Sequence, residues 1–116
     1  MKLMTKEIEK RLKRHPFYSS DGKGVESEVI VKFFAPIGAA TWLITEGQKQ
    51  ENGDWLLYGY CCLHYGEWEW GYVLLSELES IVLRPFGIGI ERDRYILKGT
   101  RVRDCVRWLS FAETLT

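Results

Sequence analysis

Residues Glu67 to Glu79 leave this chain few ways to fold. Trp68, Trp70 and Tyr72 alternate with Glu67, Glu69 and Gly71, the period-two pattern of a strand with two unlike faces. Ser76 then stands three residues before Glu79, the spacing at which a hydroxyl and a carboxylate each satisfy an orphan amide at a helix start. The pattern predicts a strand over 68–75 running straight into a short capped helix near 77–82. An exposed Trp-Trp-Tyr stripe would make a contiguous apolar patch of about several hundred Å², near the limit for a soluble monomer. Glu67 and Glu69 belong in water, so alternation predicts that the three rings are buried beneath the terminal helices.

The rest of the chain supplies those helices and the remaining strands. Thr5 is placed to cap a helix over 6–14, with Met4, Ile8 and Leu12 forming a narrow apolar stripe closed by Pro16. Val29, Val31 and Phe33 alternate with Glu28 and Lys32, predicting a strand that stops near Pro36. Thr41–Glu46 and Trp55–His64 read as two more strands, joined through the polar tract 47–54 with its Asn52-Gly53 hairpin signal. His64-Tyr65-Gly66 reads as a turn, and Glu91–Leu97 as a fifth, edge-like strand. Val102, Cys105, Val106 and Leu109 fall at helical spacing, which predicts a C-terminal helix over 101–113 capped by Thr100, although Val102, Asp104, Val106 and Trp108 also alternate. The expectation is one α+β domain over 1–116: an antiparallel meander of four to five strands, an N-terminal helix, a short helix near 77–82 and a C-terminal helix.

The bulk numbers narrow the class. A chain of 116 residues with 46% hydrophobic and 14% aromatic content has the apolar area for one core. No apolar run is long enough to span a bilayer, and no apolar stretch follows the N-terminal lysines as in a signal peptide. Three cysteines, two of them adjacent at Cys61 and Cys62, make no disulfide framework, which points to a reducing cytoplasm. Net charge is zero but segregated: residues 1–14 carry six basic and two acidic side chains, residues 92–107 six and two, and residues 26–79 two and nine. Either the basic ends neutralise the acidic middle across the fold, or the surface is two-signed and steers a charged partner.

Candidate chemistry is sparse. Cys62 and His64 would share a strand face and begin a metal site, but only His15 and Cys105 could join them besides carboxylates, and no paired ligand spacing occurs; no metal and no cofactor is expected. Glu46, Glu69, Glu91 and Asp93 would have to converge for carboxylate chemistry, and their spacing does not require it. No nucleophile elbow, phosphate loop or dinucleotide fingerprint is present. The rings of Trp68, Trp70 and Tyr72, joined by Trp42 and Tyr60, have the makings of a stacking platform for single strands, but Glu67 and Glu69 beside them repel phosphates. Arg101, Arg103 and Arg107 are the candidates for gripping a nucleic-acid backbone.

Three ordered segments carry a family resemblance. They are Phe33-Phe34-Ala35-Pro36 leading to Thr41-Trp42 and Thr45-Glu46, then Gly71-Tyr72 through Leu75-Ser76-Glu77-Leu78-Glu79, then Gly87 to Ile90-Glu91-Arg92-Asp93. Together, over about residues 3–96, they resemble a small bacterial domain family of unknown function met in plasmids, transposons and phages. The chain departs from it at Val73 and Leu74, where the family tends to have an aromatic and a hydroxyl, and the stretch from Thr100 lies outside the resemblance. The resemblance carries no activity; it implies accessory cargo of a mobile element. With no catalytic constellation, the chain reads as a non-enzymatic protein-binding domain that modulates or antagonises a host system, with Trp42, Thr45, Glu46, Glu91, Arg92 and Asp93 as the candidate binding set. The structural counter-reading makes those polar groups a lattice, with Arg92 paired to Glu46 or Glu91. The alternatives are a nucleic-acid-binding protein using its basic ends and, third, a carboxylate- or metal-dependent hydrolase.

Overall fold

The computed structural model describes residues 2–64 and 66–106. Helix α1 (Lys6–Lys13) begins where the Thr5 hydroxyl accepts a hydrogen bond from the Ile8 amide at 3.2 Å, with Glu7 and Glu9 in its first turn and Lys13 in its last. Strands β1 (Val31–Phe34), β2 (Thr41–Lys49), β3 (Trp55–His64) and β4 (Glu67–Leu74) form an antiparallel meander. Helix α2 (Leu75–Ser80) follows β4 without a loop. The short strand β5 (Glu91–Arg92) returns to the outer side of β1, so the sheet order is β4-β3-β2-β1-β5. The one-turn helix α3 (Val102–Cys105) closes the described chain. No helix among the described residues is long and apolar enough to cross a membrane.

The β2–β3 hairpin turns at the expected Asn52-Gly53, where Gly53 has φ +89° and its amide donates to the Gln50 carbonyl at 3.0 Å. Two register shifts interrupt the meander, one at Thr45 between Ile44 and Glu46, the other between Cys62 and His64. Each inserts a residue and reverses the facing of the residues beyond it. Gly59 lies opposite Ile44 beside the first shift, and a Cβ there would stand 1.9 Å from the Leu43 carbonyl oxygen. Only glycine fits that approach.

The sheet has a helix face and an aromatic face. On the first, Ile8 and Leu12 of α1 and Leu75 and Leu78 of α2 pack against Val31, Phe33, Trp42, Ile44, Trp55 and Leu57. On the second, Leu43 meets Val29, Val102 and Val106, with Tyr60, Trp68 and Trp70 at the margin. Val29 therefore departs from the alternation expected of it: its amide bonds the Thr100 carbonyl at 2.8 Å while Ile30 bonds Ile44, so the chain crosses between faces before β1 begins.

Several boundaries move, each for a local reason. The helix expected near 77–82 starts two residues earlier, because the Glu77 carboxylate accepts from the Leu74 amide at 2.9 Å. Ser76 is not the cap. Its amide and hydroxyl donate to Asp54, at 3.1 and 2.5 Å, so the hairpin tip caps the helix from across the sheet. The edge strand expected over Glu91–Leu97 stops at Arg92, since the Asp93 carboxylate accepts from the Tyr95 amide at 2.9 Å and bends the chain away. The helix expected over 101–113 ends at Cys105: Val106 adopts φ −115°, ψ 33°, and residues 107–113 lie outside the described residues. Arg101, not Thr100, precedes it, its amide held at 2.9 Å by Asp104. Arg101 is extended, at φ −100°, ψ 159°, and bridges Glu28.

The expected burial of the aromatic stripe is overturned. Trp68 and Trp70 are half-buried and Tyr72 is 55% exposed. Helix α1 covers the opposite face; among the described residues, the cluster around Val29, Val102 and Val106 packs near Trp68 and Trp70, and Phe17 meets Tyr72. Part of the charge segregation is neutralised across the fold: Arg101 and Arg103 both meet Glu26, Arg11 meets Glu28 at 3.3 Å, and Lys98 meets Glu7 at 3.9 Å.

Candidate functional site

The six residues singled out in the sequence fall into two groups. Trp42, Thr45 and Glu46 lie on β2, all buried. Glu91 and Arg92 form β5, with Asp93 just beyond, on the far side of β1. Glu46 is 4% exposed because it organises the 16–24 loop: its carboxylate accepts from the Tyr18 amide at 3.0 Å, the Ser20 amide at 2.9 Å and the Ser20 hydroxyl. Tyr18 sits at φ +73° to deliver its amide. Thr45 fills the bulge, its hydroxyl donating to the Tyr58 carbonyl at 3.4 Å. The Glu46–Arg92 pair of the lattice reading does not form. Arg92 donates to the carbonyls of Lys2, at 2.5 Å, and Leu3, at 3.3 Å, tying the N-terminal segment to the β5 edge. Asp93 pairs with Lys32 at 3.8 Å. Glu69 on β4 and Glu91 on β5 stand at opposite edges of the sheet, so the four carboxylates do not converge.

The open side of β4 has a different character. This eight-residue strand pairs with β3 along its length, and no described strand pairs with its other side. A groove of about 630 Å³ follows it, floored by Trp42, Cys61, Gly71 and Val73 and rimmed by Glu67, Glu69 and Glu77. Such a volume lies in the range of binding clefts. Nothing stands within 4 Å of where a Gly71 side chain would begin, so the strand backbone is approachable at its middle. His64 lies opposite Glu67 at one end of the groove. The register shift after Cys62 turns His64 to the opposite face, so the two do not share a side as a metal pair would need. Cys62 instead donates its thiol to the His64 carbonyl at 2.7 Å. Among the described residues, no three His, Cys, Asp or Glu side chains gather as a metal site. Burial pushes the Cys61 thiol up to about 12, which leaves the groove without a thiolate nucleophile at neutral pH.

On the other face, β3 and β4 interleave their rings. Tyr60 stacks on Trp68 at 5.3 Å and meets Trp70 at 4.8 Å; Tyr58 stacks on Trp70 at 5.7 Å and meets Tyr72 at 4.8 Å; Phe17 closes the series edge-on to Tyr72 at 5.4 Å. The result is a continuous six-ring ladder of cross-strand pairs. Trp42, expected beside these rings, projects to the helix face with its partner Cys61. Tyr58 and Phe17 were the members missed from sequence. For Tyr58 the signal was there: Tyr58-Gly59-Tyr60 and Trp68–Tyr72 alternate on either side of one short turn.

The candidate nucleic-acid contacts are partly spoken for. Arg101 bonds Glu26 at 3.0 Å and Arg103 bonds the same carboxylate, holding the Glu26 carboxyl below its ordinary value through the Arg103 hydrogen bond first. Asp104 is engaged with the Arg101 amide, and Arg107 lies outside the described residues. These contacts engage Arg101 and Arg103 with Glu26 and balance the charge around them.

No curated protein and no solved structure matches this chain. A family model described as "Protein of unknown function (DUF2958)" matches residues 3–115, which takes in the stretch beyond Thr100 that the sequence resemblance had left out. Since that match runs from ahead of α1, through all five strands, to beyond α3, the chain belongs to the DUF2958 family.

Proposed function

We propose that this protein is a non-enzymatic binding module whose partner is another protein, taken as an extended segment along the open edge of β4. The observation that carries the reading is β4 itself: eight residues without a proline or a described second neighbour, bordering a groove with an apolar floor and an acidic rim. Strand addition draws its affinity from main-chain hydrogen bonds and its selectivity from pockets for alternate side chains. Glu67 and Glu69, both exposed, favour a segment with lysine or arginine at alternate positions. The resemblance to cargo of plasmids, transposons and phages supports an accessory role that modulates or antagonises a host system. The three unbridged cysteines support a cytoplasmic setting.

Selection from a displayed library of random ten-residue peptides tests the reading. Enriched peptides should carry alternating basic residues and shift the amide resonances of residues 67–74. The double variant Glu67→Lys, Glu69→Lys should retain the parent melting temperature and lose these peptides by at least tenfold. Absence of enrichment, or enriched peptides indifferent to the charge reversal, refutes it.

A further inference from the structure

At one register position β3 and β4 bear no side chain. Gly59 and Gly71 are partners there, and nothing stands within 4 Å of where a Gly71 side chain would begin. Cys61 and Glu69 bound this gap on one side, Leu57 and Val73 on the other. It opens into the groove beside β4, whose lining includes Trp42, Cys61, Val73 and Ile81. The register steps from Cys62 opposite Trp68 to His64 opposite Glu67, so the extra residue of that shift belongs to β3. Alternation along β4 is therefore unbroken, and Glu67, Glu69, Gly71 and Val73 share the groove face. Resting on the β4-edge reading, we infer that the added segment is an antiparallel strand with an aromatic residue facing Gly71 and a lysine or arginine two and four residues later, facing Glu69 and Glu67.

Pairing geometry, apolar contact and charge each fix one part of that pattern. An antiparallel neighbour continues the pairing of β3 with β4 and is the more stable ladder per residue. In such a pair, directly opposite side chains on one face meet, so each β4 residue selects its own partner. Glu69 and Val73 stand about 13 Å apart along the strand, which leaves room at Gly71 for a ring laid against the backbone. Covering a bare glycine with an aromatic ring from the neighbouring strand is an established way to finish a sheet edge. Trp42, Val73 and Ile81 offer that ring apolar contact, and the Cys61 thiol, held up at about 12 by burial, stays neutral beside it. Glu67 and Glu69 are exposed and hold no hydrogen bond or ion pair among the described residues, so both are free to accept a basic side chain. The β4 carboxylates lie on one side of the gap only, and that sets the order of the aromatic and basic positions.

Two synthetic ten-residue peptides test it by calorimetric titration against the full chain. Both are threonine throughout except for lysine at the fifth and seventh positions; one carries phenylalanine at the third position, the other alanine. The phenylalanine peptide should bind at least tenfold more tightly and shift the Gly71 and Val73 amide resonances through its ring current. Gly71→Leu fills the gap from the protein's own side, at a position with open space and no positive φ, so it should keep the parent melting temperature. In that variant the advantage of phenylalanine should fall below about twofold, while replacing both lysines still weakens binding. Equal binding of the two peptides to the parent, or an advantage that Gly71→Leu leaves intact, overturns the inference, whereas lysine-dependent binding keeps the β4-edge reading. Failure of both peptides to bind the parent overturns the inference too; the edge reading falls with it only if the random library also yields no charge-sensitive peptides.

Discussion

Replacing Glu46 decides between a binding residue and a fastening for the 16–24 loop. The carboxylate is buried and receives two backbone amides, from Tyr18 and Ser20, and the Ser20 hydroxyl. Hydrogen bonds to a charged group contribute about 1.5–3 kcal/mol each, and a donor left unpaired in the interior costs about 1–3 kcal/mol. Glu46→Gln keeps one acceptor oxygen but turns an NH₂ towards an amide donor, so one bond is lost and one repulsion gained. The gross cost is roughly 3–5 kcal/mol. It is moderated because Tyr18 and Ser19 already face solvent, so the loop has a route to rehydrate its amides. A net loss of about 2–3 kcal/mol results, which at about 4 °C per kcal/mol lowers the melting temperature by about 8–12 °C. Thermal melts followed by circular dichroism measure the shift, and hydrogen exchange locates it: the Tyr18 and Ser20 amides should lose protection before the sheet does. Ser20→Ala, which removes only the hydroxyl, should cost less than half as much. A Glu46→Gln protein that melts like the parent with unchanged protection at Tyr18 and Ser20, yet binds a partner less well, would refute the fastening argument and restore Glu46 as a recognition residue.

The same geometry sets three further outcomes. Gly59→Ala forces a methyl into the Leu43 carbonyl between paired strands and should cost at least about 3 kcal/mol, read as loss of the cooperative melt; a neutral result would mean the β2–β3 approach is wider than described. Asp54→Ala should weaken the α2 start by about 1 kcal/mol in thermal melts; the Ser76 hydroxyl and the Trp55 and Ser76 amides hold the Asp54 carboxyl below its usual 3.8, so its contribution is complete above that value and disappears as pH falls through the lower folded pKa, where parent and variant stabilities should converge. Trp70→Ala, at a half-buried ring, should cost about 1–3 kcal/mol by denaturant titration instead of the larger loss of a core tryptophan, and a fully unfolded variant would show the ring to be core.

The meander, the N-terminal helix and the hairpin turn were legible because each rests on local chemistry: Thr5 beside an apolar stripe, Asn52-Gly53 between alternating runs. What escaped the sequence depends on pairing. Alternation says that Trp68, Trp70 and Tyr72 share a face, but not which face the helices cover; that was decided by Ile8 and Leu12 packing against Trp42 and Leu57 on the other side. The bulges at Thr45 and after Cys62 reverse the facing of Glu46 and His64, and the close approach of Gly59 to Leu43 beside the first of them lies between strands. Asp54 was invisible as a helix cap because the amide it serves belongs to Ser76, on another element. Of the candidate site, the chemistry of Glu46 and Arg92 was recognised as unusual, but their partners include two loop amides and two N-terminal carbonyls, which no spacing rule pairs with them.

The two edges of this sheet are finished differently, and the difference bears on partner choice. Beyond β1 the edge strand is two residues long, bent away by Asp93, pinned by Lys32 and overlaid by the segment that Arg92 holds. Such shortening and covering is how sheets avoid pairing with other chains. Among the described residues the eight-residue β4 edge shows none of these devices and presents Glu67 and Glu69 instead. Charge of one sign keeps an edge from joining its own kind: two copies joined through β4 would set the carboxylates of both along one face of the merged sheet, where like charges destabilise pairing. The same carboxylates lower the energy of a strand carrying lysine or arginine. On the proposed reading, an edge protected by charge rather than by shape would reject a second copy of itself while staying open to a basic partner.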